Sequence, residues 1–121
     1  AGWSGGKTEK DRKFLSDLKL LCTNYNDMPF NSMKNKVEEF MSSDAGVLFL
    51  HIREPREIER AKIAFNAITV LVRRDSIKQI TSNMADSGVF NYDYDIVVFN
   101  DGDLSDLRVT AKAIIRETYI N

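Results

Sequence analysis

The sequence predicts a three-layer α/β domain in which a short parallel sheet is flanked by helices. Three apolar runs, at 47–52, 68–72 and 95–99, have the composition of strands, and the first shows almost no alternation of apolar and polar residues. A strand, a helix and a second strand follow one another within 47–72. So short a connection favours a right-handed parallel crossover. We therefore expect 47–52 to be a central strand of the sheet.

Apolar residues at intervals of three and four predict helices before, between and after these strands. The predicted helices lie at 10–26, from Pro29 to the turn at 42–46, at 55–66, at 76–84, and from Asp103 onward. Asp106 stands three residues after Asp103, which is the spacing of a helix cap. Helices of this number suffice to cover both faces of a short sheet.

Length and composition limit what the chain can be. Its 121 residues, 43% of them hydrophobic, fit one domain over 1–121, with 1–9 expected as a flexible leader. A formal charge of −1 gives no overall field for nucleic acid or an anionic membrane, and no apolar run is long enough to span a bilayer. The single cysteine, Cys22, excludes an internal disulfide and suits a reducing compartment. We expect a cytoplasmic protein with neither a nucleic acid nor a membrane partner.

The glycine-rich start of the chain matches a relaxed phosphate-loop pattern that ends in Lys7 and Thr8. A working loop needs a buried strand before it, and no strand precedes Ala1 in this sequence. A flexible leader is therefore the favoured interpretation.

His51, the only histidine, is expected to be a core or strand-end residue rather than a base, and we predict no metal site.

Arginines follow two of the predicted strands. Arg53 comes after the first, and Arg73 and Arg74 come after the second, so parallel strands would bring all three to one edge of the sheet. Arginine at this edge suits phosphate, because its planar group donates two parallel hydrogen bonds and stays charged. The alternative is that these side chains form ordinary surface ion pairs, for example with Asp75. The sequence leaves both interpretations open.

The same segments carry a family resemblance. The run from Val47 through Arg53-Glu54-Pro55, the run 69–74, and the run from Tyr92 through Asn100-Asp101-Gly102 resemble the C-terminal half of deoxynucleoside monophosphate kinases and related P-loop nucleotide kinases. The resemblance covers about 45–118. It implies a P-loop kinase fold, ATP as donor, Mg²⁺ as cofactor and a nucleoside monophosphate as acceptor.

The resemblance also implies roles for individual residues. Arg53, with Arg12, would bind the substrate phosphate, and Arg73 and Arg74 would be the catalytic lid-side arginines. The cofactor-binding residues would be Asn100, Asp101 and Gly102. Lys7 and Thr8 would bind the cofactor as well if they form an atypical phosphate loop. The family's first strand and phosphate loop are missing, and His51 stands where an aspartate that orients magnesium is expected.

These departures decide the expected function. Phosphoryl transfer depends on positioning and charge neutralisation, so the loss of the loop should remove most of the rate. We expect a nucleotide-kinase-like domain that is non-catalytic on its own and retains weak nucleotide or phosphate binding. Two alternatives stay open: an active ATP-dependent kinase in which Lys7 and Thr8 form an atypical loop, and a protein-interaction or homo-oligomerisation module that uses an open sheet edge.

Overall fold

The computed structural model describes residues 4–77 and 88–120, and over these ranges the chain is a small α/β domain with four helices and a two-stranded parallel sheet. The helices are α1 (Glu9–Asn26), α2 (Met28–Met41), α3 (Pro55–Phe65) and α4 (Leu104–Ile120), and the strands are β1 (Val70–Arg73) and β2 (Ile96–Phe99). No helix within these ranges is long and apolar enough to cross a membrane.

The first and last helices begin in the same way, with a polar residue that caps the helix and an aspartate three residues later. The Thr8 hydroxyl accepts a bond from the Asp11 N–H at 3.2 Å, and the Thr8 N–H donates to the Asp11 carboxylate at 3.0 Å. Asp103 and Asp106 make the equivalent pair of bonds before α4, both at 3.0 Å. The cap predicted at Asp103 is confirmed, and all four of these helices lie where periodicity placed them.

A sharp corner joins α1 to α2 at Asp27, whose backbone is left-handed with a φ of 56°. Pro29 follows in the first turn of α2, where its missing N–H costs no helical bond. The Asp27 carboxylate accepts two bonds from the Arg60 guanidinium, at 2.8 and 2.5 Å. Arg60 belongs to α3, so this bidentate pair fixes the corner of the α1–α2 hairpin against α3.

The two strands run parallel, as predicted, with Val70 opposite Ile96 and Arg73 opposite Phe99. Backbone bonds extend the ladder beyond both ends, from the Ile96 N–H to Thr69 at 3.0 Å and from the Asn100 N–H to Arg73 at 2.7 Å. Both strands lie within two residues of their predicted bounds. The predicted helix at 76–84 lies largely outside the described residues.

The prediction of a third, central strand at 47–52 is wrong. Residues 47–53 carry no regular secondary structure, and in the described part of the chain the sheet contains β1 and β2 alone. The Phe49 side chain is 79% exposed. An apolar run becomes a buried strand only when another strand offers it a hydrogen-bonding edge, and here no edge within the described ranges pairs with it.

The core of the described ranges is small, and its members belong to α3 and the sheet region. Ile58 and Ala61 of α3 and Val98 of β2 are buried, together with the polar residue Thr69. The Asp95 carboxylate satisfies Thr69, accepting bonds from its N–H at 2.9 Å and its hydroxyl at 2.8 Å.

Lys62 of α3 completes the network around Asp95 with an ion pair at 2.6 Å. The hydrogen bond from Lys62, followed by those from Thr69, lowers the pKa of Asp95 to about 2. One carboxylate therefore joins the starts of both strands to α3.

We expect Asp95→Ala to lower the free energy of unfolding by about 2 kcal/mol, because a buried group that loses its hydrogen-bonding partner costs roughly 1–3 kcal/mol. Chemical denaturation followed by circular dichroism measures this loss. Asp93→Ala is the matched control, since Asp93 is an exposed aspartate two residues earlier. Equal stability of the two variants would contradict the role assigned to Asp95.

The depressed pKa of Asp95 also makes a prediction about acid. Its folded pKa of about 2 lies below the ordinary 3.8, so its stabilising contribution is complete above 3.8 and is lost as the pH falls toward 2. The difference in unfolding free energy between the wild type and Asp95→Asn should therefore shrink over this window. Denaturation curves recorded at several acidic pH values test this, and a difference that stays constant would refute it.

Candidate functional site

A cleft of about 500 Å³ lies where the segment before α1, the adjoining faces of α1 and α2, the segment 51–54 and α3 meet. Five cationic side chains line it: Lys7, Arg12, Lys19, Arg53 and Arg60. Two acidic side chains, Glu54 and Glu57, lie among them. The cleft thus gathers positive charge in a chain whose formal net charge is −1.

The first part of the wall is the start of α1 and the segment before it. Arg12 donates from its Nε to the Lys7 carbonyl at 3.3 Å, which holds the preceding segment against the first turn of the helix. Gly6 and Lys7 reach the cleft from this segment. Arg12, Leu15, Ser16 and Lys19 follow at helical intervals, so one face of α1 forms this wall.

Lys19 forms ion pairs with both acidic groups. Its ammonium lies 2.6 Å from the Glu57 carboxylate and 3.2 Å from that of Glu54. Partial burial works to lower the pKa of Lys19, but the hydrogen bond and charge of Glu57, helped by Glu54, outweigh it and raise the pKa above its ordinary value. Lys19 therefore stays charged, and its single positive charge offsets part of the negative charge of the two carboxylates.

Arg60 and Phe30 form a further wall. Besides its bonds to Asp27, the Arg60 guanidinium lies 3.6 Å from the centre of the Phe30 ring. Phe65 stacks on the same ring with 5.6 Å between centroids. The hydrogen bond from Arg60 holds the pKa of Asp27 below its ordinary value. Arg60 and Phe30 are thus engaged with each other and with neighbouring groups.

The remaining cations of the cleft come from two parts of the chain: Lys7 and Arg12 from around the start of α1, and Arg53 from the segment before α3. All three belong to the predicted site. The reason given for Arg53 is wrong, since 47–52 is not a strand and Arg53 does not lie at the end of one. Expected as a core or strand-end residue, His51 is instead exposed and lines the same cleft. Thr8 has a structural task, because its hydroxyl donates to Asp11 at 2.6 Å within the helix cap.

The other predicted site residues lie at the carboxyl ends of β1 and β2, and none of them lines the cleft. Arg73 pairs with Asp75, its Nε and Nη2 lying 3.1 and 3.0 Å from one carboxylate oxygen. This is the surface ion pair that the sequence left open as an alternative. Arg74 is exposed.

The Asn100-Asp101-Gly102 turn has a structural explanation in its contacts. The Asp101 carboxylate accepts from the Ser76 N–H at 3.2 Å, which ties the turn after β2 to the turn after β1. A Cβ added at Gly102 would lie 2.3 Å from a carboxylate oxygen of Asp106, the residue that completes the cap of α4. Glycine therefore leaves room for this cap.

Lys19 and the apolar residues of the wall were not predicted as site residues. The sequence did contain a signal, because Arg12, Ser16 and Lys19 recur at three- and four-residue intervals on a predicted helix. Which partner they face depends on how α1 packs against α3, and local periodicity says nothing about that packing. Glu54 and Glu57 were not predicted as site residues either, for the same reason.

Within 4–77 and 88–120, no group of three or more histidine, cysteine, aspartate or glutamate side chains is arranged to hold a metal ion. The Thr8 hydroxyl, the other group that a phosphate loop would offer to magnesium, is engaged in its cap. The described residues therefore form no site that holds a metal ion by three or more of these side chains. Comparison with known proteins finds no match among family models, curated proteins or solved structures.

Proposed function

We propose that this chain is a nucleotide-kinase-like domain that binds the phosphate groups of a nucleotide in the cleft between α1 and α3, and that it does not catalyse phosphoryl transfer on its own. One observation carries the proposal. Lys7 and Arg12, around the start of α1, line a single cleft together with Arg53, which follows them by about forty residues in the sequence. All three are cations of the kind that bind phosphate.

Charge supports an anionic ligand in this cleft. The cleft is lined by five cationic and two acidic side chains, and both acidic ones are bound by Lys19. Arginine donates in a fork that matches two phosphate oxygens, and lysine adds a mobile point charge. A ligand with two or more phosphates has enough charge to engage Lys7, Arg12 and Arg53.

The uncharged part of the wall suits the remainder of a nucleotide. Leu15, Pro29, Met33 and Ile52 supply apolar surface beside the cations. Phe30 is less available to a base, because Arg60 and Phe65 already pack against its ring. We therefore place the base against aliphatic side chains, which give contact area but little discrimination between bases.

The same contacts support a binding role rather than turnover by this chain alone. Phosphoryl transfer requires a positioned metal ion and convergent donors around the transferred group. The Thr8 hydroxyl is engaged in the cap of α1, and Arg73 is paired with Asp75 at the sheet end instead of lining the cleft.

We expect Arg12→Ala and Arg53→Ala each to weaken the binding of ATP and pyrophosphate about tenfold, because a charge-assisted hydrogen bond contributes roughly 1.5 kcal/mol. Isothermal titration calorimetry, run with and without Mg²⁺ over a panel of nucleoside mono-, di- and triphosphates, measures the change. Lys10→Ala is the matched control, since Lys10 is an exposed cation on the same helix and does not line the cleft.

Three outcomes would contradict this proposal. The phosphate site fails if the wild type binds no member of the panel, or if Lys10→Ala weakens binding as much as Arg12→Ala does. The non-catalytic assignment fails if the wild type turns over ATP in the presence of Mg²⁺ and a nucleoside monophosphate.

Glu57→Gln should have the opposite effect and tighten phosphate binding a few-fold. The variant removes a negative charge from the cleft and frees the Lys19 ammonium from its closest partner at 2.6 Å. The gain should diminish as salt is added, because screening weakens interactions between partly exposed charges. Glu38→Gln, which removes an exposed carboxylate of α2 that does not line the cleft, is the control. Weaker binding by Glu57→Gln would refute the electrostatic argument.

A further inference from the structure

His51 brings an imidazole to the cleft between α1 and α3. It is the only histidine of the sequence. All four residues of the segment 51–54 line the cleft, so His51 shares its wall with Arg53 and Glu54. The residue is exposed, and within the described ranges no hydrogen bond, ion pair or ring contact engages its side chain. Solvent protons and a ligand in the cleft can therefore both reach the imidazole.

The other charged groups of the cleft keep their charge around neutral pH. They come from the segment before α1, from α1, from α3 and from the segment 51–54, while the lining residues of α2 are uncharged. The cations are Lys7, Arg12, Lys19, Arg53 and Arg60. The carboxylates are Glu54 and Glu57. Glutamate ordinarily takes up a proton near pH 4, and lysine and arginine hold theirs beyond roughly pH 10.

Histidine differs from all of these groups, because it is the side chain that ordinarily changes charge between about pH 5 and about pH 8. A histidine that pairs with a carboxylate stays protonated to higher pH. His51 has no such partner, since both carboxylates of the cleft are bound by Lys19, at 3.2 Å for Glu54 and 2.6 Å for Glu57. Among the lining side chains, His51 is therefore the one that gains or loses a charge in this window.

We propose that protonation of His51 adds a further cation to the phosphate site, so that the cleft binds phosphate more tightly at about pH 5.5 than at about pH 8. The inference rests on the proposed function, because it concerns the regulation of the same site. A protonated imidazole donates from both nitrogens, and charge-assisted hydrogen bonds to phosphate oxygens are stronger than neutral ones. Loss of the proton removes the charge and leaves a single N–H donor.

The coupling acts in both directions. A bound phosphate brings negative charge to the wall that contains His51, and a nearby negative charge favours the protonated imidazole. By thermodynamic linkage, proton uptake must then strengthen phosphate binding by the same factor. The cleft therefore joins a pH-sensitive group to a set of cations whose charge is constant.

Isothermal titration calorimetry with pyrophosphate at about pH 5.5 and about pH 8 tests the proposal, with His51→Gln as the neutral variant. Pyrophosphate itself takes up protons in this range, so the decisive quantity is the gain in affinity of the wild type on acidification divided by that of His51→Gln. The ligand's own titration cancels in this ratio. We expect a ratio of about five, because a unit charge about 4 Å away contributes roughly this factor in water.

His51→Lys is the matched variant that keeps a positive charge at both pH values. It should bind pyrophosphate more tightly than His51→Gln throughout and show the same pH dependence as His51→Gln. A wild-type pH dependence that survives in His51→Lys would assign the effect to another group.

Proton NMR of the single histidine gives a measurement on the wild type that requires no variant. In saturating pyrophosphate, the midpoint of the imidazole titration should lie about 0.7 pH unit higher than without ligand, which is the same fivefold factor on a logarithmic scale. Equal pH dependence in the wild type and His51→Gln, or a midpoint that pyrophosphate leaves unchanged, overturns this inference and leaves the phosphate site itself standing. A wild type that binds no pyrophosphate at either pH overturns both.

Discussion

Helix α3 is the constraint on which the rest of the structure depends, because ion pairs from its successive turns hold the other elements in place. Glu57 binds Lys19 of α1, Arg60 binds Asp27 at the corner between α1 and α2, and Lys62 binds Asp95 at the start of β2. These pairs are formed by three residues within six positions of one helix. Both the α1–α2 hairpin, which carries part of the cleft, and the two-stranded sheet are therefore attached to α3.

Hydrogen bonds and ion pairs position the elements because the apolar core is small. Of the hydrophobic side chains within the described ranges, Ile58, Ala61 and Val98 are the buried ones. With so few buried side chains, the relative orientation of the helices and strands is set by hydrogen bonds and ion pairs. These contacts are directional, but they are weaker where water reaches them. Two of the residues in these ion pairs of α3, Glu57 and Arg60, also line the cleft, so the same groups influence both the stability of the fold and the charge of the cleft.

Local patterns predicted local structure well, and they failed where a distant neighbour decides the outcome. The cap at Asp103 and the two strands follow from nearby residues, since spacing and β-branched composition are enough. The run 47–52 has strand composition too, but a strand also needs an edge to pair with, and composition cannot supply one. Arg53 was therefore assigned to the sheet, whereas it lies in a cleft formed by helices.

The carboxyl end of the sheet and the cleft are separate surfaces. Groups at the carboxyl ends of β1 and β2 are engaged in holding turns, through Arg73 with Asp75, Asp101 with Ser76, and the α4 cap beside Gly102. A phosphate ligand at that end would have to displace these contacts, whereas the proposed ligand in the cleft would meet five cationic side chains beside two carboxylates that are both bound by Lys19.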